Sequence, residues 1–233
     1  MEEEQRIVEE QETREKAQVK KNKYFTKLQA FLLIFGTLFA SLIAGYFISD
    51  KFFWSNIDKN RLNDQLAYYK QMADADPSNP KHRVDLGYTY FLKGNNEKAI
   101  KEYFAALDLD DNYYSAYLNL GIVYNDEERL DDALLQSQRA IEISPRDYKG
   151  FLLQGSIYRK LKMYDEAIKS LEEANILMAT NTDIIYEIGR VLEDQGNLSE
   201  AEEIYKDALN YDPLYKPAVE GLERIAEQDK DNN

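Results

Sequence analysis

The segment GNNEKAIKEYFAAL, residues 94–107, has the form of a turn followed by an amphipathic helix. It begins with three turn residues, and no helix breaker follows them. Ala99 and Ala106 lie seven residues apart, on what should be the apolar side of that helix. Leucine would bury more surface at these positions, so small residues there indicate that another helix crosses closely.

The same pattern recurs at steps of 34 residues in three further segments. They are ERLDDALLQSQRAI at 128–141, KMYDEAIKSLEEAN at 162–175 and GNLSEAEEIYKDAL at 196–209. Small residues occupy three columns: Ala99, Ala133, Ala167 and Ala201; Ala106, Ala140, Ala174 and Ala208; and, upstream, Gly87, Gly121, Gly155 and Gly189. Four copies without an insertion predict an array of helix–turn–helix units, which bury their apolar faces by stacking.

This pattern resembles the tetratricopeptide repeat, a 34-residue unit with small residues at its eighth, twentieth and twenty-seventh positions. The resemblance covers residues 80–113, 114–147, 148–181 and 182–215 and implies an all-α solenoid of helical hairpins. Asp111 and Ala179 stand where the family has proline, and Ser137 replaces a bulky residue. We expect residues 62–79 to form a capping half-repeat and 216–233 a C-terminal capping helix and tail.

Residues 28–48, LQAFLLIFGTLFASLIAGYFI, are 21 residues without a charge. As a helix they would span roughly 30 Å, the thickness of the hydrocarbon core of a bilayer. We expect a retained transmembrane helix at 28–49, followed by a linker at 50–61. A cleaved signal peptide fits less well, because 27 residues precede the apolar run and no small-residue cleavage site follows it.

Within the expected transmembrane helix, Gly36, Ala40 and Ala44 recur every four residues. Small residues at this spacing let two helices approach closely. They therefore favour packing of the helix against a second copy or against the helix of a partner protein.

Basic residues set the expected orientation. Six lie within 14 residues before the apolar run, namely Arg14, Lys16, Lys20, Lys21, Lys23 and Lys27, and four lie in a similar window after it, namely Lys51, Lys59, Arg61 and Lys70. The positive-inside rule then places a charged arm, residues 1–27, in the cytoplasm. The repeats would lie outside the cytoplasm of a bacterial cell, attached to its membrane.

Composition argues against several kinds of chemistry. The net charge is −14, and residues 55–233 hold 21 basic against 35 acidic side chains, so nucleic acid is a poor partner. No cysteine and a single histidine exclude a thiol nucleophile and a multi-histidine metal site. Asp108, Asp110 and Asn112 have calcium-loop spacing, but Tyr113 replaces the required glycine. We expect no enzyme activity, no cofactor and no metal.

The resemblance implies that the first helices of the repeats line a concave groove for a peptide or a partner helix. The positions it places on this surface are Val84, Tyr88, Phe91, Leu118, Asn119, Ile122, Asn125, Lys149, Leu152, Ser156, Arg159, Tyr186, Glu187 and Arg190. They make one end of the groove apolar and the other charged. Alternatively, Leu118, Ile122 and Leu152 serve packing alone, or the C-terminal capping helix fills the groove.

One ligand class of the family is unfavourable here. Co-chaperones with these repeats hold acidic C-terminal tails in a five-residue carboxylate clamp. Asn119 and Lys149 match that clamp, whereas Val84, Tyr88 and Leu153 replace its other members. A terminal carboxylate would therefore lack most of its partners.

We interpret the sequence as a membrane-tethered scaffold that binds protein partners, expected to be membrane or envelope proteins, and supports assembly of a complex. Two alternatives remain open. The chain could be a structural subunit docked through its transmembrane helix, or an accessory factor that delivers clients for secretion, pilus assembly or cytochrome maturation.

Overall fold

The computed structural model describes residues 2–21, 32, 35–39 and 55–231 of the chain. Two units are distinguished, residues 1–61 and residues 62–233. In the first, helix α1 (Glu2–Lys21) is mostly polar, with exposed pairs such as Lys16–Glu12, and its apolar residues Ile7 and Val8 are exposed.

Ten further helices lie within the described residues 55–231. They are α2 (Ser55–Ala75), α3 (Pro80–Leu92), α4 (Asn96–Leu109), α5 (Tyr114–Asp126), α6 (Leu130–Ile143), α7 (Tyr148–Lys160), α8 (Tyr164–Leu177), α9 (Thr182–Asp194), α10 (Leu198–Tyr211) and α11 (Lys216–Asp231). Helices α3 to α10 form four hairpins, in each of which a helix of 13 residues is followed by one of 14. The predicted all-α repeat array is confirmed.

The hairpins stack in chain order. The second helix of each repeat packs against the first helix of the next, and the first helices α3, α5, α7, α9 also contact one another in succession. Helix α11 continues this stack by packing against α9 and α10. One face of the array is therefore lined by first helices.

The small-residue columns lie where helices cross. All eight alanines of the two columns are fully buried. A Cβ atom on Gly155 would lie 2.6 Å from Cγ of Leu171, and one on Gly189 would lie 2.5 Å from the ring of Tyr205. Glycine at these positions lets the paired helix bring a bulky side chain against the backbone.

The second repeat solves this packing differently. Ser137 stands where the other repeats have Tyr103, Leu171 and Tyr205, and its buried hydroxyl donates to the carbonyl of Leu134 at 2.8 Å. A Cβ on Gly121 would instead lie 2.8 Å from Cδ2 of Leu153, which belongs to the third repeat. Leu153 thus supplies the bulk that Ser137 lacks.

Each hairpin turn contains one residue in the left-handed backbone conformation, at the same position of the repeat. Glycine takes it in the first and fourth repeats, at Gly94 with φ 71° and Gly196 with φ 84°. Glu128 and Lys162 take it in the second and third, with φ 58° and 61°. A non-glycine residue in this region costs about 1–2 kcal/mol.

Two expected boundaries need correction. Helix α2 begins at Ser55, within the segment expected to be a linker and before the expected half-repeat at 62. Residues 55–61 contain neither proline nor glycine, so nothing local prevents the helix from starting there. At the other end, the tail expected after the capping helix is not distinguished from it up to the last described residue, because α11 continues to Asp231.

The expected transmembrane helix at 28–49 lies outside the described residues, apart from Leu32 and residues 35–39. Within the described ranges, no helix combines the length and the apolar character needed to cross a bilayer. Of the expected packing residues, Ala40 and Ala44 lie outside the described part. A Cβ on Gly36 would have no neighbour within 4 Å.

Candidate protein-binding groove

A cavity of about 330 Å³ opens between the first helices α5, α7 and α9. Its lining residues are Leu118 and Ile122 from α5; Lys149, Leu152, Leu153 and Ser156 from α7; Asp183, Tyr186 and Glu187 from α9; and Tyr215, which precedes α11. We call this cavity the groove. Its volume lies in the range of pockets that bind ligands.

The floor of the groove is apolar because four aliphatic side chains from two adjacent helices meet there. Leu152 also contacts the core formed by the third and fourth repeats. Leu153 is 9 % exposed and reaches Gly121 behind the floor. The small Ser137 of the second repeat therefore shapes the groove, because Leu153 fills the space that a larger side chain would occupy.

An aromatic wall closes one side. The ring of Tyr186 lies 5.6 Å from that of Tyr205 and meets the ring of Tyr215 nearly edge-on, with centroids 5.9 Å apart. These are favourable separations for aromatic pairs. Tyr186 is thus supported from two sides, which makes the wall preformed.

Tyr215 is anchored to α9 by its hydroxyl, which donates to Oδ1 of Asp183 at 2.6 Å. Burial raises the pKa of the Tyr215 hydroxyl well above its ordinary value, and the hydrogen bond to the Asp183 carboxylate acts in the same direction. The tyrosine therefore stays a neutral donor, and the loop before α11 is held at the lip of the groove.

The charged end predicted for the groove is neutralised within the molecule. Arg159 is only 8 % exposed, and its Nε donates to Oε2 of Glu187 at 3.2 Å while Nη1 donates to Oδ2 of Asp194 at 2.7 Å. Burial alone would lower the pKa of the Arg159 guanidinium, but the two carboxylates more than offset it and the pKa is raised. Arg159 thus joins α7 to α9, and the prediction that it faces the groove is wrong.

Arg190 is also engaged by its own helix. Its Nη1 lies 3.2 Å from the Tyr186 hydroxyl, and its Nε lies 3.7 Å from Oε2 of Glu193. It does not line the groove. Lys149, by contrast, is exposed and lies on the rim with Asp183 and Glu187.

Seven of the fourteen predicted positions line the groove, namely Leu118, Ile122, Lys149, Leu152, Ser156, Tyr186 and Glu187. The first-repeat residues do not. Val84 is 6 % exposed and belongs to the core, so its prediction as a surface residue is wrong. Tyr88 is exposed and Phe91 is half-buried, and neither lines the cavity. The amide of Asn119 donates to the carbonyl of Ser115 in its own helix at 2.7 Å. The carbonyl of Asn125 accepts from Nζ of Lys160 at 2.8 Å.

Three lining residues were missed by the sequence analysis. Asp183 occupies the same repeat position as Lys149, and Leu153 the same position as Asn119 and Glu187, so repeat register alone could have identified them. Tyr215 follows Pro213 in the connection to α11. Its place depends on tertiary packing, and helical periodicity carries no signal for it.

In the described part of the chain, no three acidic or histidine side chains are grouped so that they could hold a metal ion. In the segment with calcium-loop spacing, the carboxylate of Asp110 accepts from the backbone N–H of Asn112 at 3.0 Å. This is an Asx turn between two helices.

Comparison with known proteins identifies the repeats. Three family models match: one described as "TPR repeat" over residues 87–126, and two described as "Tetratricopeptide repeat" over residues 114–147 and 158–225. The fold is also similar to a solved MamA protein, with 26% identity, a TM-score of 0.54, and coverage of 71% of this chain and 88% of that one. A solved YrrB, titled a TPR protein with an unusual peptide-binding site, shares the fold at 23% identity and a TM-score of 0.54, covering 70% and 84% of the two chains.

Two curated relatives match shorter segments. Both are named probable UDP-N-acetylglucosamine–peptide N-acetylglucosaminyltransferase SPINDLY. The one from Hordeum vulgare is 35% identical over 81 residues, and the one from Oryza sativa subsp. japonica is 44% identical over 48 residues. These segments cover 32% and 21% of this chain, but the chain spans only 9% and 5% of the length of the two relatives.

Proposed function

Because this chain contains tetratricopeptide repeats, we propose that it is a scaffold that holds a segment of another protein in the groove between α5, α7 and α9. The observation that carries this proposal is the apolar, preformed cavity on the face lined by first helices. A concave apolar surface with a few polar groups at its rim suits an extended or helical polypeptide segment. Supporting the assembly of a membrane or envelope complex is the role we assign to it.

Filling the groove tests this role. Ser156 lines the cavity, whereas Ser199 is exposed on α10. We expect Ser156→Trp to abolish co-purification of specific partners from native membranes, because the indole occupies the cavity, and Ser199→Trp to retain them. Equal unfolding temperatures of the two variants exclude misfolding as the cause. Partners that survive Ser156→Trp would show that the groove is not the binding surface.

We further propose that residues 28–48 anchor the chain in the cell membrane, which raises the effective concentration of the scaffold for partners in the same membrane. The full chain should then remain in the pellet after carbonate extraction, and a deletion of residues 28–48 should be released. Release of the full chain would refute the anchor.

An alkaline phosphatase fused after Asn233 should be active in a bacterial host if the repeats lie outside the cytoplasm.

Docking through the anchor itself is the second candidate, and the small-residue spacing of Gly36, Ala40 and Ala44 favours it. The same purification separates the two candidates. Loss of partners on substitution of Gly36 and Ala40 by isoleucine, with Ser156→Trp harmless, would assign binding to the transmembrane segment. Homo-oligomers formed through this segment would be lost in the same variants.

We also propose that the chain is not an enzyme. The matches to the named transferases span only 9% and 5% of the length of those proteins. Among the described residues, no group of three histidine or acidic side chains could hold a metal ion.

A further inference from the structure

The groove differs from a carboxylate-binding groove at its centre. Leu153 occupies the repeat position that Asn119 and Glu187 hold in the neighbouring repeats. It is fixed there because it fills the space beside Gly121 that the small Ser137 leaves open. The middle of the groove therefore offers an apolar contact where its neighbours offer polar groups.

Charge is distributed unevenly across the rim. Among the described residues that line the groove, Lys149 on α7 is the one cation, and no carboxylate lies within ion-pair distance of it. Lys149 and Asp183 hold the same position in consecutive repeats and thus stand at corresponding points of α7 and α9. The rim is positive on its α7 side and carries Asp183 and Glu187 on its α9 side.

The acidic side of the rim keeps a net negative charge. The single cation Arg159 is shared between Glu187 and Asp194, and Asp183 has only the neutral hydroxyl of Tyr215 as a partner. One negative charge of the Glu187–Asp194 pair is therefore unbalanced, and the charge of Asp183 is not neutralised. A ligand that placed only acidic groups here would be repelled from α9.

We propose that the groove selects a polypeptide segment with a bulky apolar side chain flanked by an acidic residue on one side and a basic residue on the other. The apolar side chain enters between Leu152, Leu153 and Tyr186. The acidic residue pairs with Lys149, and the basic residue faces Asp183 and Glu187. This inference rests on the proposed function, because it specifies the chemistry of the segment that the groove holds.

Opposite charges at the two sides also fix the direction of the segment. The same segment bound in the opposite direction would place like charges together at both helices, which disfavours that orientation. The groove therefore distinguishes the two orientations of one segment. Strongly acidic tails, which the carboxylate clamp of the family would accept, are not ligands of this groove.

A displayed library of random peptides, selected on the full chain in nanodiscs, tests this chemistry. We expect selected peptides to combine Leu, Ile, Met or Phe with an acidic and a basic flank, and Ser156→Trp to remove the selection. Lys149→Glu should abolish the acidic preference alone, and Asp183→Asn should weaken the basic preference alone, because Glu187 keeps its charge. Both residues are exposed on helix surfaces, so both variants should fold.

Affinities of synthetic peptides taken from the selection give the expected size of each effect. Replacing the apolar side chain by alanine should weaken binding at least about tenfold, since a buried large apolar side chain contributes that much. Removing one flanking charge should weaken it up to about fivefold, as for exposed ion pairs. Fluorescence anisotropy measures both effects.

The outcomes separate the two proposals. Two results would overturn this inference and leave the groove as a binding site. One is that peptides without an apolar residue bind in the groove. The other is that Lys149→Glu and Asp183→Asn leave the preference for flanking charges unchanged. Selection of purely acidic peptides would overturn it as well. Absence of any selection that depends on Ser156 would contradict the proposed function itself.

Discussion

Leu153 connects the core of the array to its surface. Ser137 provides little bulk at the crossing of α5 and α6, and Leu153 from the next repeat takes up the space against Gly121. The same leucine lines the groove. A substitution in one repeat is therefore compensated by its neighbour, and the compensation determines the polarity of the candidate site.

Because Leu153 fills the space that Ser137 leaves, substitutions of these two residues should have non-additive effects on the free energy of unfolding. Leu153→Ala should cost about 2–5 kcal/mol by leaving a cavity, and Ser137→Leu about 1–3 kcal/mol by overpacking. The double variant should be more stable than the sum of the two costs implies, because the new leucine fills the vacated space. Urea unfolding of the four proteins measures the coupling. Purely additive costs would show that the two side chains do not share this space.

The hairpin turns provide a second prediction at a single residue. Lys162 has a left-handed backbone, and the equivalent Gly196 shows that glycine is accommodated at this position. Lys162→Gly should stabilise the protein by roughly 0.5–1 kcal/mol, after allowance for the larger entropy of the unfolded chain. Gly196→Ala serves as the inverse control and should destabilise it. A loss of stability in Lys162→Gly would contradict this account.

Among the elements, helix α11 is held against α9 by the buried carboxylate of Glu193. Both nitrogens of the Arg224 fork donate to the oxygens of Glu193 at 2.9 Å, and the Tyr205 hydroxyl donates to the same group at 2.5 Å. Only 8 % of the Glu193 side-chain surface is exposed. Since Gly221 lets α11 approach the ring of Tyr205 closely, packing and charge fix this helix together.

The same carboxylate predicts a pH dependence. Burial would raise the pKa of Glu193, but hydrogen bonds from Arg224 and Tyr205 outweigh it and hold the pKa below the ordinary value of 4.5. The unfolded chain then binds more protons than the folded one. The stability that Glu193 contributes is present above about pH 4.5 and is lost as the pH falls through its folded value.

Glu193→Gln should therefore lower the free energy of unfolding by about 1–3 kcal/mol at pH 7. Below pH 4, the free energies of unfolding of this variant and of the native protein should become more similar. Glu220→Gln, on α11, is the control. Glu220 pairs with Lys216 at the surface, so its loss should cost less than about 1 kcal/mol at any pH. A constant deficit of Glu193→Gln across pH would contradict the assigned pKa direction.

Much of the repeat array could be predicted at the level of elements. The 34-residue period and its small-residue columns locate all four hairpins, because close helix crossings restrict those positions to glycine and alanine. The start of α2 could not be located, since no breaker marks it. The neutralisation of Arg159 was also missed, because its partners lie 28 and 35 residues away and depend on how α7 packs against α9.

At the scale of the whole array, neighbouring repeats share the groove. Three first helices and the loop before α11 each contribute to it, so no single repeat contains the site. In a stacked array each unit contacts mainly its neighbours. The geometry of the groove therefore depends on the contacts that fix α5, α7 and α9 side by side, among them the Arg159 bridge.

The most direct test of the groove as the binding surface is site-specific photocrosslinking in the native cell. Benzoylphenylalanine replaces Tyr186 in the groove or, as a matched control, Phe104, which is exposed on the second helix α4. Our account predicts a crosslink to a discrete partner protein from position 186 and none to that protein from position 104. A partner crosslinked from position 104 and not from position 186 would contradict it.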